Sequence, residues 1–207
     1  IMSSDWSSDV CSSDLGMDKK IGLIAGNGMF PLVSARSAKA QGFRVFVCAI
    51  KGEADGRICE NADEVAWLKV GQLQTVIRFF SKHSVQECIF AGKITKTNIF
   101  KGHIMPDLEM LKVLARVNDW KDDTLLGAIA DFLQKRGIAV IDSTTFMRDQ
   151  LIQEKVYTKK SPTAKMYRDI VFGWNLAREM GRLDIGQTVA VKHKAAMAIE
   201  ATDGTDE

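Results

Sequence analysis

The sequence predicts an α/β fold: a Rossmann-like parallel-sheet domain followed by a second, smaller α/β domain that is incomplete. Three observations predict it. From Met17 onward, short apolar runs of strand length alternate with amphipathic stretches of helical period, the pattern of a parallel sheet with helices on its faces. The first strand-like run, Ile21-Gly22-Leu23-Ile24-Ala25, leads straight into Gly26-Asn27-Gly28 and then a helix beginning near Phe30-Pro31. Past Asp142 the composition changes, through Ser143-Thr144-Thr145 to the polar stretch Tyr157-Thr158-Lys159-Lys160-Ser161-Pro162, which reads as a linker.

Taken in order, the elements expected are a strand over 20–25, a helix over 30–41, strands over 43–50 and 64–70, a helix over 72–83 and a strand over 87–91. Two helices follow, 107–117 and 123–136. Asp122-Asp123-Thr124 gives the second an acidic, cap-like start, and Gly137 closes it. A strand over 138–142 ends this part. Beyond the linker, residues 164–180 place Ile170, Trp174 and Ala177 on one helical face and stop at Gly181. Strands over 188–193 and 195–201 come next, joined by a short turn.

The expected organisation is therefore a non-native or disordered segment 1–16, an N-terminal Rossmann-like domain 17–145, a linker 146–163 and a partial C-terminal catalytic domain 164–207. Segment 1–16 repeats Ser-Ser-Asp at 3–5, 7–9 and 12–14, is of low complexity and resembles nothing after it. Met17 is the expected start. A helix and two strands are too few to bury their own apolar faces, so the last domain either packs on the first or lacks part of its chain, and the second is the expectation.

Bulk properties exclude more than they assign. A net charge of +2, from 28 basic and 26 acidic residues, leaves no extended basic field, so a nucleic-acid partner is not expected. Four cysteines without C-x-x-C spacing fit a reducing compartment. No run reaches the ~18 to 20 apolar residues that cross a bilayer, and a cytoplasmic location is expected.

Chemistry concentrates at the glycine turn. Gly26 and Gly28 flanking Asn27 let backbone approach a ligand, and the N–H groups that open the next helix favour negative charge, so a nucleotide or sugar phosphate is the expected ligand. A strand–turn–helix junction with glycines for geometry alone is the plain alternative. The dinucleotide pattern is broken twice: Met29, Phe30 and Pro31 stand where a third glycine would come, and the next strand ends in Lys51 instead of an acidic residue. Both departures weaken a nicotinamide-dependent oxidoreductase reading.

Lys93, just past a strand of a parallel sheet, lies where such folds meet ligands, and its ammonium could offset phosphate charge; a solvated lysine is the alternative. Gly71 and Gln72 offer a second loop on the same sheet edge. Asp122 and Asp123 could hold or relay to a metal, or merely complement a helix dipole. Asp206 in Gly204-Thr205-Asp206 reads by residue type first as a helix cap. His83, His103 and His193 lack ligand spacing. Phe79, Phe80 and Trp174 read first as core and second as the lining of an acyl-chain path.

Six short motifs in one order carry a resemblance: Ile24-Ala-Gly-Asn-Gly-x-Phe-Pro31, Val70-Gly-Gln-Leu73, Ala91-Gly-Lys93, Asp122-Asp-x-Leu-Leu126, Leu183-Asp-x-Gly-Gln-x-Val189 and Glu200-Ala-x-x-Gly-Thr-Asp206. Together they are similar to the UDP-2,3-diacylglucosamine pyrophosphatase family of the LpxI type, over residues 17–206. The resemblance implies a Mg²⁺-dependent hydrolase of lipid A biosynthesis that splits a lipid-linked UDP-sugar into 2,3-diacylglucosamine 1-phosphate (lipid X) and UMP.

The residue readings and the resemblance together assign roles. Asp206, Asp123 and Lys93 become the catalytic candidates; Gly26, Asn27, Gly28, Gly71, Gln72, Lys192 and Thr205 become substrate-binding candidates; Asp206 and Glu200 become the metal ligands. Such a substrate implies peripheral contact with the inner membrane surface, and a homo-oligomer is compatible with the sequence. A binding module that holds a nucleotide or lipid without hydrolysing it is the competing class.

Overall fold

The computed structural model describes residues 19–94, 106–117, 122–183, 185–186 and 188–200. The chain divides into two compact units, 1–151 and 152–207.

In the first unit, five parallel strands form one sheet: β1 (Lys20–Ala25), β2 (Arg44–Ile50), β3 (Glu64–Leu68), β4 (Glu87–Ala91) and β5 (Ala139–Val140), in the order β3-β2-β1-β4-β5. Helix α1 (Phe30–Ala40) lies between β1 and β2, α2 (Leu73–Lys82) between β3 and β4, and α3 (Leu108–Leu114) and α4 (Asp122–Gln134) between β4 and β5. The chain moves outward from β1 through β2 to β3 and then returns to the other side of β1 to lay down β4. The β1/β4 boundary is thus the topological switch point, where sheets of this kind take ligands at their carboxyl edge.

Both sheet faces are buried, which is why the strands read as continuous apolar runs. Ile21, Leu23 and Ala25 of β1, with Val45, Val47 and Ala49 of β2, face Ala35 and Ala38 of α1 and Phe146. Phe46, Cys48 and Ile50 point the other way, onto Val76 and Phe80 of α2 and Phe132 and Leu133 of α4. Gly22 lies under Phe80: a Cβ there would stand 2.7 Å from the ring's Cζ.

The expected elements are present, most with shorter ends, but the helix expected from 123 begins at Asp122, and the one expected to stop at Gly181 runs through it to Arg182 because Gly181 keeps helical backbone. β3 stops at Leu68 because Gln72 Oε1 accepts the Lys69 N–H at 2.8 Å and turns the chain. β5 shrinks to two residues because Asp142 folds its carboxylate onto Thr144. Between β2 and β3 lies a 3₁₀ turn, Gly56–Asn61, capped by Asp55; nothing in the hydrophobic period announces it. Residues 1–18 lie outside the described residues.

In the second unit, α5 (Ala164–Arg182) packs on a hairpin of β6 (Val189–Lys192) and β7 (Ala195–Ile199). Thr163 caps α5 by accepting the Met166 N–H. The hairpin turns on His193 and Lys194, both in the left-handed region at φ 54° and 57°. Asp169 of α5 holds that turn, its two oxygens accepting the N–H of His193 at 3.0 Å and of Lys194 at 2.8 Å. Gly173 gives the hairpin room, since a Cβ there would meet Val191 Cγ2 at 3.1 Å.

Candidate functional site

At the carboxyl edge of the five-stranded sheet, the turns after β1 and β4 are joined to each other. Asn27 N–H donates to the Lys93 carbonyl at 2.7 Å, Lys93 N–H donates back to the Asn27 carbonyl at 3.1 Å, and Gly26 N–H donates to the Ala91 carbonyl at 2.8 Å. Glycine is what permits this crossing. A Cβ on Gly26 would lie 2.5 Å from the Lys93 carbonyl oxygen, and one on Gly92, at φ +83°, would run into the Asn27 carbonyl oxygen. Pro31 is buried beside the same point and would meet a Gly92 Cβ through its Cγ at 2.9 Å. Pro31 therefore fills the place where the dinucleotide pattern has its helix-packing residue, and it does so against the β4 turn.

Gly28 differs from its neighbours. It sits at φ +101° with nothing among the described residues within 4 Å of an added Cβ, so its glycine serves backbone conformation and leaves that space open. α1 then begins at Phe30 with no side-chain cap and no acidic residue in its first turn. Asn27, Gly28 and Lys93 are all exposed. The sequence-derived candidates Gly26, Asn27, Gly28 and Lys93 are thus brought together at one place, with a positively polarised helix start beside a lysine.

The second loop is built otherwise. Gly71, at φ +91°, has its carbonyl accept the Asp107 N–H at 3.1 Å. Asp107 then caps two helices at once: Oδ2 accepts the Gln74 N–H of α2 at 2.6 Å and Oδ1 the Met110 N–H of α3 at 2.9 Å. Gln72 spends its side-chain oxygen on Lys69. The positive end of α2 is occupied by a carboxylate of the chain itself, whereas that of α1 carries no side-chain cap among the described residues.

Three charged groups on this edge escaped the sequence reading. Arg57, on the 3₁₀ turn after β2, forms a fork with Asp55, Nη2 to Oδ2 at 2.6 Å, and its Nη2 lies 3.8 Å from Met29 Sδ at the start of α1. The pairing, through the side-chain hydrogen bond first, holds the exposed Asp55 carboxyl down at about 2. Glu53 is buried one turn after β2. Asp142, at the end of β5, accepts both the N–H and the hydroxyl of Thr144, and these bonds hold its carboxyl below the usual range. Proximity of an acid to a strand end was the signal for the last two. Arg57 had none, because its position depends on the 3₁₀ turn.

Elsewhere, Asp123 falls in the first turn of α4, Lys192 is exposed at the end of β6, and Glu200 follows β7 with its N–H donated to the Thr188 carbonyl at 2.9 Å. Thr205 and Asp206 lie outside the described residues. Of the residues read as core or acyl-chain lining, Phe80 is fully buried and Trp174 is exposed. Burial pushes the Cys88 thiol up to about 12 and that of Cys48 further, so neither is a nucleophile. Among the described residues, no three His, Cys, Asp or Glu side chains come together as a metal cluster, and no helix is long and apolar enough to cross a membrane.

Comparison with known proteins places the chain in a family. The LpxI N-terminal domain model matches residues 20–150 and the LpxI C-terminal domain model matches residues 153–207. The chain is 30% identical over 194 residues to the UDP-2,3-diacylglucosamine pyrophosphatase LpxI of Caulobacter vibrioides, covering 91% of this chain and 67% of that protein. Among solved structures it is similar to the biotin carboxylase domain of a thermophilic 2-oxoglutarate carboxylase, at 16% identity and a TM-score of 0.37 over 84% of this chain and 29% of that one. It is also similar to a UDP-glucose-4-epimerase of Stenotrophomonas maltophila, at 12% identity and a TM-score of 0.38 over 81% of this chain and 50% of that one.

Proposed function

The chain belongs to the LpxI family, and on that premise we propose that it hydrolyses the pyrophosphate of UDP-2,3-diacylglucosamine, releasing 2,3-diacylglucosamine 1-phosphate and UMP in lipid A biosynthesis. The observation that carries the reading is the match of both family domains in order along one chain, joined to a relative of that name at 30% identity. The carboxyl edge of the sheet supports it: the Gly26–Gly28 turn, the uncapped start of α1 and the Lys93 ammonium form a setting for a polyanionic substrate. Lys93 offsets phosphate charge and the β1–α1 turn presents backbone to it, while Gly71 and Gln72 shape the neighbouring loop. In the second unit, Lys192 and Thr205 are assigned to substrate.

Mg²⁺ belongs to the proposal through donor chemistry. A Mg²⁺ ion takes one or two carboxylates and leaves the rest of its shell to water and substrate phosphates, so the absence of a three-ligand cluster among the described residues is compatible with it. Asp206 and Glu200 are the ligands assigned, with Asp123 as a further carboxylate for the reaction. When bound, the ion would neutralise phosphate charge and lower the pKa of a water. A lipid-linked substrate also places the enzyme at the inner membrane surface, by peripheral contact.

Release of UMP from UDP-2,3-diacylglucosamine tests the reading. Turnover above a no-enzyme control, abolished by EDTA and reduced at least 100-fold by Asp206→Ala, is the expected result. Binding of substrate without turnover would replace the hydrolase by a binding module. A thermal shift with NAD(P) and none with UDP-sugars would overturn both.

A further inference from the structure

We draw no further inference here: the strongest candidate, the apolar groove of about 510 Å³ between α5 and the β6–β7 hairpin, lined by Ile170, Gly173, Trp174, Val189 and Val191, carries nothing because no observation in the structure shows what covers it.

Discussion

The two units solve the burial problem differently. In the first, every central strand is covered on both faces, and side chains as large as Phe46 and Phe80 are at most 1% exposed. In the second, α5 buries only Gly173 and Met180 along 19 residues, Trp174 is 66% exposed, and all five residues of β7 are exposed. The difference is geometric. A sheet sandwiched between two helix layers encloses its own core, whereas one helix on a two-stranded hairpin has a single contact face and leaves the others open. Local devices hold the second unit in shape: the Thr163 cap, the Asp169 clamp on the hairpin turn and the close approach at Gly173.

The largest effect that can sharpen this contrast is removal of a ring from the enclosed core. Phe80→Ala opens a cavity over Gly22 and Cys88, with an expected loss of about 3–5 kcal/mol from the first unit. Trp174→Ala, a similar deletion from an exposed site, is expected to cost under about 1 kcal/mol. Urea unfolding of the two variants measures both. Equal costs would mean that the exposed face of α5 is buried in solution.

Next in size come the glycines of the switch-point crossing. Gly26→Ala places a methyl against the Lys93 carbonyl, and the backbone must move, at an expected cost of about 1–3 kcal/mol. Gly28→Ala meets no atom of the described residues and bears the left-handed conformation alone, about 1–2 kcal/mol. The two variants therefore separate by what happens to the ligand. Gly28→Ala fills the open space above the turn, so it is expected to raise KM for the UDP-sugar more than its stability loss accounts for, while Gly26→Ala is expected to lower stability and substrate affinity in step. Unchanged KM in Gly28→Ala would remove the turn from the substrate's path.

These glycines also mark how far the sequence could be read. The strands, their order of alternation and the Gly26–Gly28 turn follow from hydrophobic period and glycine placement, which are local. Gly22 and Gly92 owe their identity to contacts with Phe80 and with the Asn27 carbonyl, both distant in sequence. Arg57 at the α1 start and Asp107 shared by two helices were illegible for the same reason: each acts on an element that only the fold brings near. Lys93 could be singled out from its place after a strand, but its exchange of hydrogen bonds with Asn27 could not.

Asp107 offers a middle-sized effect. Asp107→Ala removes acceptors from the first turns of α2 and α3 together, and an expected loss of about 1–2 kcal/mol follows from the usual value of a cap. Asp107→Asn keeps one acceptor oxygen and is expected to recover part of it. Hydrogen exchange at Gln74 and Met110 reports the two helices separately; loss of protection at only one of them would break the shared cap.

The smallest effect belongs to the second unit and is read by pH. Asp169 is held below the usual carboxylate range, first by the Lys194 N–H and then by that of His193, so its ionised form is the one the folded hairpin prefers. A depressed carboxyl stabilises the fold above its unfolded pKa of about 3.9, and that contribution is lost as pH falls through the lower folded value. The hairpin turn is therefore expected to loosen only below about pH 4, ahead of the enclosed sheet. Amide chemical shifts of His193 and Lys194 should titrate together below pH 4 and lose that step in Asp169→Asn. A step near or above pH 4, or one that the β1–β2 amides share, would mean that the hairpin does not depend on the Asp169 clamp by itself.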